Sequence, residues 1–209
     1  MRNRTPAPMR AMALPVLAIA ALAAWSGLNG SDSADAASAP SGFYRGDLGA
    51  RELRMGHRGT DVKTLNWALR AGALGAPRHG TFSGSTDRAV RALQRTAGLR
   101  TNGVVARKTR KAVAGRMVRQ RATWYGPGLY GNRTACGQKL KKKTVGVAHR
   151  KLPCGTRVVF AYRGRWARAK VIDRGPFRRG YRWDLTRALA KRLGAIKVGA
   201  PSLKAGVAP

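Results

Sequence analysis

Apolar residues follow three different rhythms along the chain. From Ala13 to Trp25 they run almost unbroken (ALPVLAIAALAAW). From Glu52 to Val118 they recur every three or four residues, and beyond Arg121 they alternate with polar residues in short stretches cut by glycines. The first run is shorter than the ~20 residues needed to span a bilayer. It follows Arg2, Arg4 and Arg10 and precedes small residues, with Ala34-Asp35-Ala36 and Ala37-Ser38-Ala39 both readable as cleavage sites. That three-part pattern predicts a secretory signal peptide and processing region over 1–40, and an exported body. A generous reading from Ala11 to Leu28 leaves an uncleaved anchor as the alternative. No Cys follows the run, so no lipid attachment is expected there. Residues 41–51 read as a linker.

The middle rhythm is helical. Val62, Leu65 and Leu69 lie on one face of a helix whose N-cap is expected at Thr60 or Asp61. A second helix is predicted from about Ser85, with Ala89, Val90, Leu93 and Ala97 inward and Gly98 as its stop. A weaker third covers about Ala106 to Ala114. Three short helices within residues 52–118 predict a small bundle. His57 and His79 fall in its turns with no acid or Cys beside them to tune them, and are expected to be surface residues.

The last rhythm is that of strands. The clearest hairpin is Thr156 to Asp173 (TRVVFAYRGRWARAKVID), turning at Arg163-Gly164-Arg165. Its second strand places Trp166, Arg168, Lys170 and Ile172 on one face, and Ala167, Ala169, Val171 and Asp173 on the other. The small apolar set is expected to face the core, bringing Asp173 inward at the strand's end. There it either pairs with Arg174 to hold the turn or serves a cleft. From Arg121 onward 22 residues are Lys or Arg and only Asp173 and Asp184 are acidic, so any carboxyl chemistry in this part must use one of those two. Asp184 precedes a helical pattern, Leu185 to Leu193, and is expected to cap that helix. His149, among cations, reads either as a hydrogen-bonding core residue or as a neutral imidazole able to relay a proton. Cys136 and Cys154 predict a disulfide in an oxidising compartment. A Cys nucleophile using His149 as base is the alternative.

Charge narrows the partners. The chain has 209 residues, 42 of them Lys or Arg against eight Asp or Glu, for a formal net charge of +34. That excludes an ordinary cytosolic metabolic enzyme and points to an anionic partner. For an exported protein the expected anions are peptidoglycan carboxylates and anionic wall polymers, with no nucleic acid, and a membrane only through an uncleaved signal segment. Three His and two Cys without C-x-x-C or H-x-x-x-H spacing predict no metal, and no cofactor is expected. A monomer is expected.

Two family resemblances cover most of the exported part. LRMGHRGTDV (Leu53 to Val62), GTFSGST (Gly80 to Thr86), Ala89-Val90, Gln94, Gly98-Leu99, Asn102-Gly103-Val104 and Thr109 resemble the peptidoglycan-binding domain 1 family. This resemblance implies a three-helix wall-binding module over 52–118.

ATWYGPG (Ala122 to Gly128), RTACG (Arg133 to Gly137), VAHRKLPCGTRV (Val147 to Val158), VIDRGPF (Val171 to Phe177) and WDL (Trp183 to Leu185) resemble the rare lipoprotein A family. The resemblance implies a six-stranded double-psi β-barrel over 121–203, so that the fold class is multidomain α and β, a three-helix bundle followed by that barrel. It further implies lytic transglycosylase action on peptidoglycan glycan strands, leaving 1,6-anhydromuramic ends. His149 and Asp173 match the family's acid–base positions. Tyr125 and Asp184 match its cleft motifs, and Trp124 and Gln138 complete the substrate-binding expectation. Gln138 stands where catalytic members carry Glu, and an amide can neither donate nor accept a catalytic proton. The competing expectation is therefore an expansin-like binder, gripping or loosening wall polymer through Trp124, Tyr125, Trp166 and Trp183 without cleavage.

Overall fold

The computed structural model describes residues 47–209. The apolar run, both cleavage sites and the segment up to residue 46 lie outside the described residues. Three helices, α1 (Thr60–Ala71), α2 (Gly84–Thr96) and α3 (Arg107–Gly115), precede six strands, β1 (Val118–Tyr125), β2 (Val147–Ala148), β3 (Arg157–Tyr162), β4 (Arg165–Asp173), β5 (Trp183–Thr186) and β6 (Ser202–Val207). A fourth helix, α4 (Arg187–Leu193), lies between β5 and β6. The strands close into a barrel in the order β1-β5-β2-β4-β3-β6.

Val62, Leu65 and Leu69 are fully buried, as the spacing implies. The cap of α1, however, is Gly59, whose positive φ of 138° suits glycine alone. Asp61 lies within the first turn, where its charge complements the helix dipole and meets Arg51 at 2.6 Å. At the start of α2, Ser83 and Thr86 form a reciprocal capping box. Ala97, expected inward, is exposed beyond the helix end. Gln94 takes the buried place one turn earlier. Its amide nitrogen donates to the carbonyl of Val104 at 2.9 Å, and its amide oxygen accepts from the Gly103 N–H at 2.9 Å. A polar side chain can be buried there because it closes the turn leading to α3.

The hairpin turns on Arg163 and Gly164, both at positive φ, the geometry of a two-residue loop that matches strand twist. Ala167, Ala169 and Val171 enter the barrel core with Val158, Phe160, Leu185, Leu189 and Leu203. The opposite face is also buried. Val159, Ala161 and Trp166 join Leu65, Trp67 and Leu69 in a second core shared between bundle and barrel. At Gly206 of β6 the two parts approach so closely that a Cβ would lie 2.6 Å from the Ala71 Cβ.

Two expectations change accordingly. The segment read as a linker is anchored from Asp47 on. Leu48 is fully buried, the Asp47 N–H donates to the Trp166 carbonyl at 2.8 Å, and the Asp47 carboxylate meets Arg192 at 3.1 Å. The barrel also extends past 121–203 at both ends, because Val118 at the start of β1 pairs with Ala205 of β6.

Candidate active site

Four barrel strands bring the acidic residues of this domain together. Within the barrel wall β2 lies between β4 and β5, and Ala148 pairs with Asp173 on one side and Asp184 on the other. Two strand spacings put the aspartate α-carbons roughly 10 Å apart, close enough for side chains to meet over a small residue. On β5, Trp183 and Leu185 point into the barrel core, so the intervening Asp184 points the other way. Its neighbour in β1 is Thr123, whose hydroxyl donates to the Asp184 carboxylate at 2.7 Å.

Asp184 therefore does not cap α4. Thr186 does so, its hydroxyl accepting from the Leu189 N–H. Burial raises the Asp184 pKa above the ordinary carboxylate value, the Asp173 charge adds to that rise, and the Thr123 donor opposes it.

Asp173 accepts two backbone N–H groups on one carboxylate oxygen, from Ala135 at 2.8 Å and from Arg174 at 2.9 Å. The guanidinium of Arg174 turns away, donating to the carbonyls of Leu152 at 2.9 Å and His149 at 3.3 Å. Of the two readings of Asp173, the Asp–Arg side-chain pair is thus set aside. A register shift between Val147 and Ala148 breaks the alternation of β4 at this point. The carboxylate expected to project into the core is half-exposed instead, near enough to Asp184 to raise that group's pKa.

Tyr125 completes the group. Its hydroxyl is buried and makes no hydrogen bond of ordinary geometry. Burial raises its pKa strongly, and the charges of Asp173 and Asp184 add to that rise. Asp173 also acts as a hydrogen-bond acceptor for this phenol, which stays protonated beside the two carboxylates and can donate. A few residues beyond Asp173, Phe177 is exposed immediately after the cis Gly175–Pro176 bond.

His149 is buried at 2% exposure, its ring tilted against Trp183 with centroids 4.7 Å apart. Its Nδ1 accepts the N–H groups of Lys151 at 3.1 Å and Leu152 at 2.9 Å. Both donors point at that lone pair, so the neutral ring carries its proton on Nε2. Burial first, then Arg182, Arg150 and Arg174, lowers its pKa to about 4. Nδ1 is committed to the turn, as in a core residue, while the buried Nε2 makes no hydrogen bond and is the nitrogen left for proton exchange. Because the folded-state pKa lies below the unfolded value of about 6.5, protons favour the unfolded chain and stability falls as pH drops from there towards 4. We expect His149→Gln to flatten that part of the pH–stability curve, read from melting temperatures across the window.

Cys136 and Cys154 are bonded to each other, which removes both from nucleophilic chemistry. The bond joins the turn beginning at Arg133 to the turn held by His149, and the neighbour of Cys136 is Ala135, the donor to Asp173. Reduction is expected to cost about 3 kcal/mol in the loop-entropy estimate and to loosen that donor. Denaturation with and without reductant checks the first effect.

Other expected binding residues divide sharply. Trp124 is half-buried with its ring partly in the barrel core, and Gln138 is exposed, its carbonyl accepting the Thr134 N–H at 2.9 Å in the turn that presents Ala135. Trp166 and Trp183 are 3% and 2% exposed, one in the shared core and the other in the barrel core, so neither is open to a glycan.

Residues 117–209 match the family model described as lytic transglycolase, and residues 58–113 match a putative peptidoglycan binding domain. The chain is thus similar, part by part, to a peptidoglycan-binding module followed by a lytic transglycolase barrel. The "Probable endolytic peptidoglycan transglycosylase RlpA" of Aquifex aeolicus (strain VF5) is 41% identical over 92 residues, which cover 43% of this chain and 41% of that protein. The "Endolytic peptidoglycan transglycosylase RlpA" of Campylobacter jejuni subsp. jejuni serotype O:2 (strain ATCC 700819 / NCTC 11168) is 34% identical over 80 residues, 37% of this chain and 29% of that one. The chain thus spans well under half the length of these relatives. A solved Clavibacter michiganensis expansin in complex with cellohexaose covers 44% of this chain and 50% of its own at 18% identity, with a TM-score of 0.38 that carries no argument.

Proposed function

We propose that this is an exported wall protein that binds peptidoglycan and cleaves its glycan strands as a lytic transglycosylase, with Asp184 as the proton donor. The observation that carries this reading is the convergence of Asp173 and Asp184 on either side of Ala148, with the buried Tyr125 hydroxyl near both and the Asp184 pKa raised. The relatives' names and the two matched families support the substrate class.

The chemistry needs one carboxyl group that gives and retakes a proton. Asp184 protonates the glycosidic oxygen, the C1–O bond breaks, and positive charge develops at C1. The C6 hydroxyl of the same muramic residue attacks C1 and its proton returns to Asp184. Since no water is activated, a second carboxylate acting as base is not required. Asp173, anchored by two N–H donors, supplies negative charge facing the developing cation. Tyr125 donates to the sugar and orients it. These roles exchange those implied by the family resemblance, in which Asp173 holds the acid–base position. His149 becomes a positioning residue, fixing the turn beside Asp173, and Gln138 a contact on the rim. Trp124 completes the floor, and the helical module adds retention on the wall.

Incubation of peptide-free glycan strands with the full chain tests this proposal. Release of soluble fragments by wild type and its loss in Asp184→Asn would support it. Glycan retention without any release would favour the non-catalytic expansin-like reading, which now rests on Tyr125 and Trp124 alone of its four aromatics.

A further inference from the structure

A second concavity lies where α3 meets the barrel, a cleft of about 950 Å³ that shares no residue with the aspartate site. One wall is α3, presenting Arg107, Lys108 and Lys111. Facing it are Arg119 of β1, Arg163 of the β3–β4 turn and Lys204 of β6. Five of these six cations are exposed and Lys204 is half-buried. The floor is apolar, formed by Ala161, Trp166 and Leu203 among others. Arg110 also borders the cleft, but its guanidinium is hydrogen-bonded to the Arg51 carbonyl and is not counted.

No acidic residue lines the cleft. Among the described residues Asp47, Asp61 and Asp87 hold ion pairs with arginines elsewhere, Asp173 and Asp184 lie in the other site, and the exposed Glu52 is outside the cleft lining. The concentration of like charge is unfavourable to the fold itself. It is aggravated on α3, where Arg107 and Lys108 occupy a first turn without an acid, at the positive end of the helix dipole. A bound polyanion would offset both costs at once.

We propose that this cleft binds a linear phosphodiester polymer, a polyol phosphate chain of the cell wall. Cations on two facing walls suit a flexible single chain with phosphate at every repeat, since Arg and Lys each match phosphate oxygens. A flat anionic membrane could not lie between two facing walls, whereas a single chain can meet the cations of both. Single-stranded nucleic acid is held by aromatic platforms on which bases stack, and here Trp166 and Tyr162 are 3% and 9% exposed, packed into the floor. The proposal shares with the preceding reading only an extracytoplasmic setting, and it stands or falls without any glycan cleavage.

The test uses the full chain and a fluorescent glycerol phosphate hexamer, with anisotropy read at 50 and 200 mM salt, concentrations at which phosphate contacts separate clearly. The triple variant Arg107→Gln/Lys111→Gln/Arg163→Gln is compared with Lys141→Gln/Lys142→Gln/Lys143→Gln, which removes the same charge outside the cleft. All six positions are exposed, and unchanged melting temperatures establish that both variants fold. We expect the cleft variant to lose about tenfold or more in affinity, with a salt slope shallower by about two. The control variant should move less than about threefold. Absence of binding at the lower salt, or equal losses in both variants, would overturn the proposal. A single-stranded hexanucleotide, or vesicles containing anionic lipid, binding as tightly with the same dependence on the cleft residues would overturn it in favour of those partners.

Discussion

Asp184→Asn is expected to reduce glycan fragment release by at least about 100-fold, the usual effect of a positioned acid or base. Asparagine keeps the shape and can still accept the Thr123 hydroxyl, so the loss is that of the proton itself. The variant also removes the repulsion between the two carboxylates, so the melting temperature should hold or rise. The pH profile carries the sign of the argument. The Asp184 pKa is raised and the proposed donor role needs its protonated form, so activity is expected to fall as pH climbs through that value. Thr123→Val removes a donor that favours the charged form, and should shift this limb to higher pH. Asp173→Asn removes the neighbouring charge that raises Asp184, and should shift the limb to lower pH while also lowering the rate. A merely structural threonine would change the amplitude of the profile and leave its midpoint in place.

Trp166→Ala is expected to lower stability by about 3–5 kcal/mol, the cost of emptying a large aromatic from a packed core. The ring lies between bundle and barrel, and its own carbonyl receives the Asp47 N–H. Urea denaturation monitored at helix and at strand wavelengths should show one transition shifted as a whole, because the two parts share that core. Glycan affinity of the folded variant should be unchanged. The opposite pair of results, unaltered stability and lost glycan affinity, would return Trp166 to a binding groove.

Much of this architecture is legible in the chain. The spacing of Val62, Leu65 and Leu69, the Gly98 stop and the Arg163-Gly164 turn each rest on a local rule that nothing distant overrides. Asp184 shows where local rules fail. An Asp before Leu185 and Thr186 satisfies the preferences of a helix cap, but Thr186 satisfies them equally, and only pairing of β5 with β1 and β2 decides which residue caps. Trp166 and Trp183 illustrate a second limit, since an aromatic in a strand reads the same whether a glycan or another part of the chain covers it. A signal for the shared core was present in β3, whose residues Val158 to Tyr162 are apolar on both faces, as in strands buried on both sides. The destination of the Arg174 guanidinium could not be read, because adjacency to Asp173 suggests a pair that the turn geometry denies.

The most direct measurement is mass spectrometry of glycan products formed in water enriched with heavy oxygen. Attack by the internal C6 hydroxyl puts no solvent oxygen on C1, so the expected result is new 1,6-anhydro ends without label, formed by wild type and lost in Asp184→Asn. Labelled reducing ends would show hydrolysis and contradict the single-acid transfer, and so would unlabelled anhydro ends that persist undiminished in Asp184→Asn.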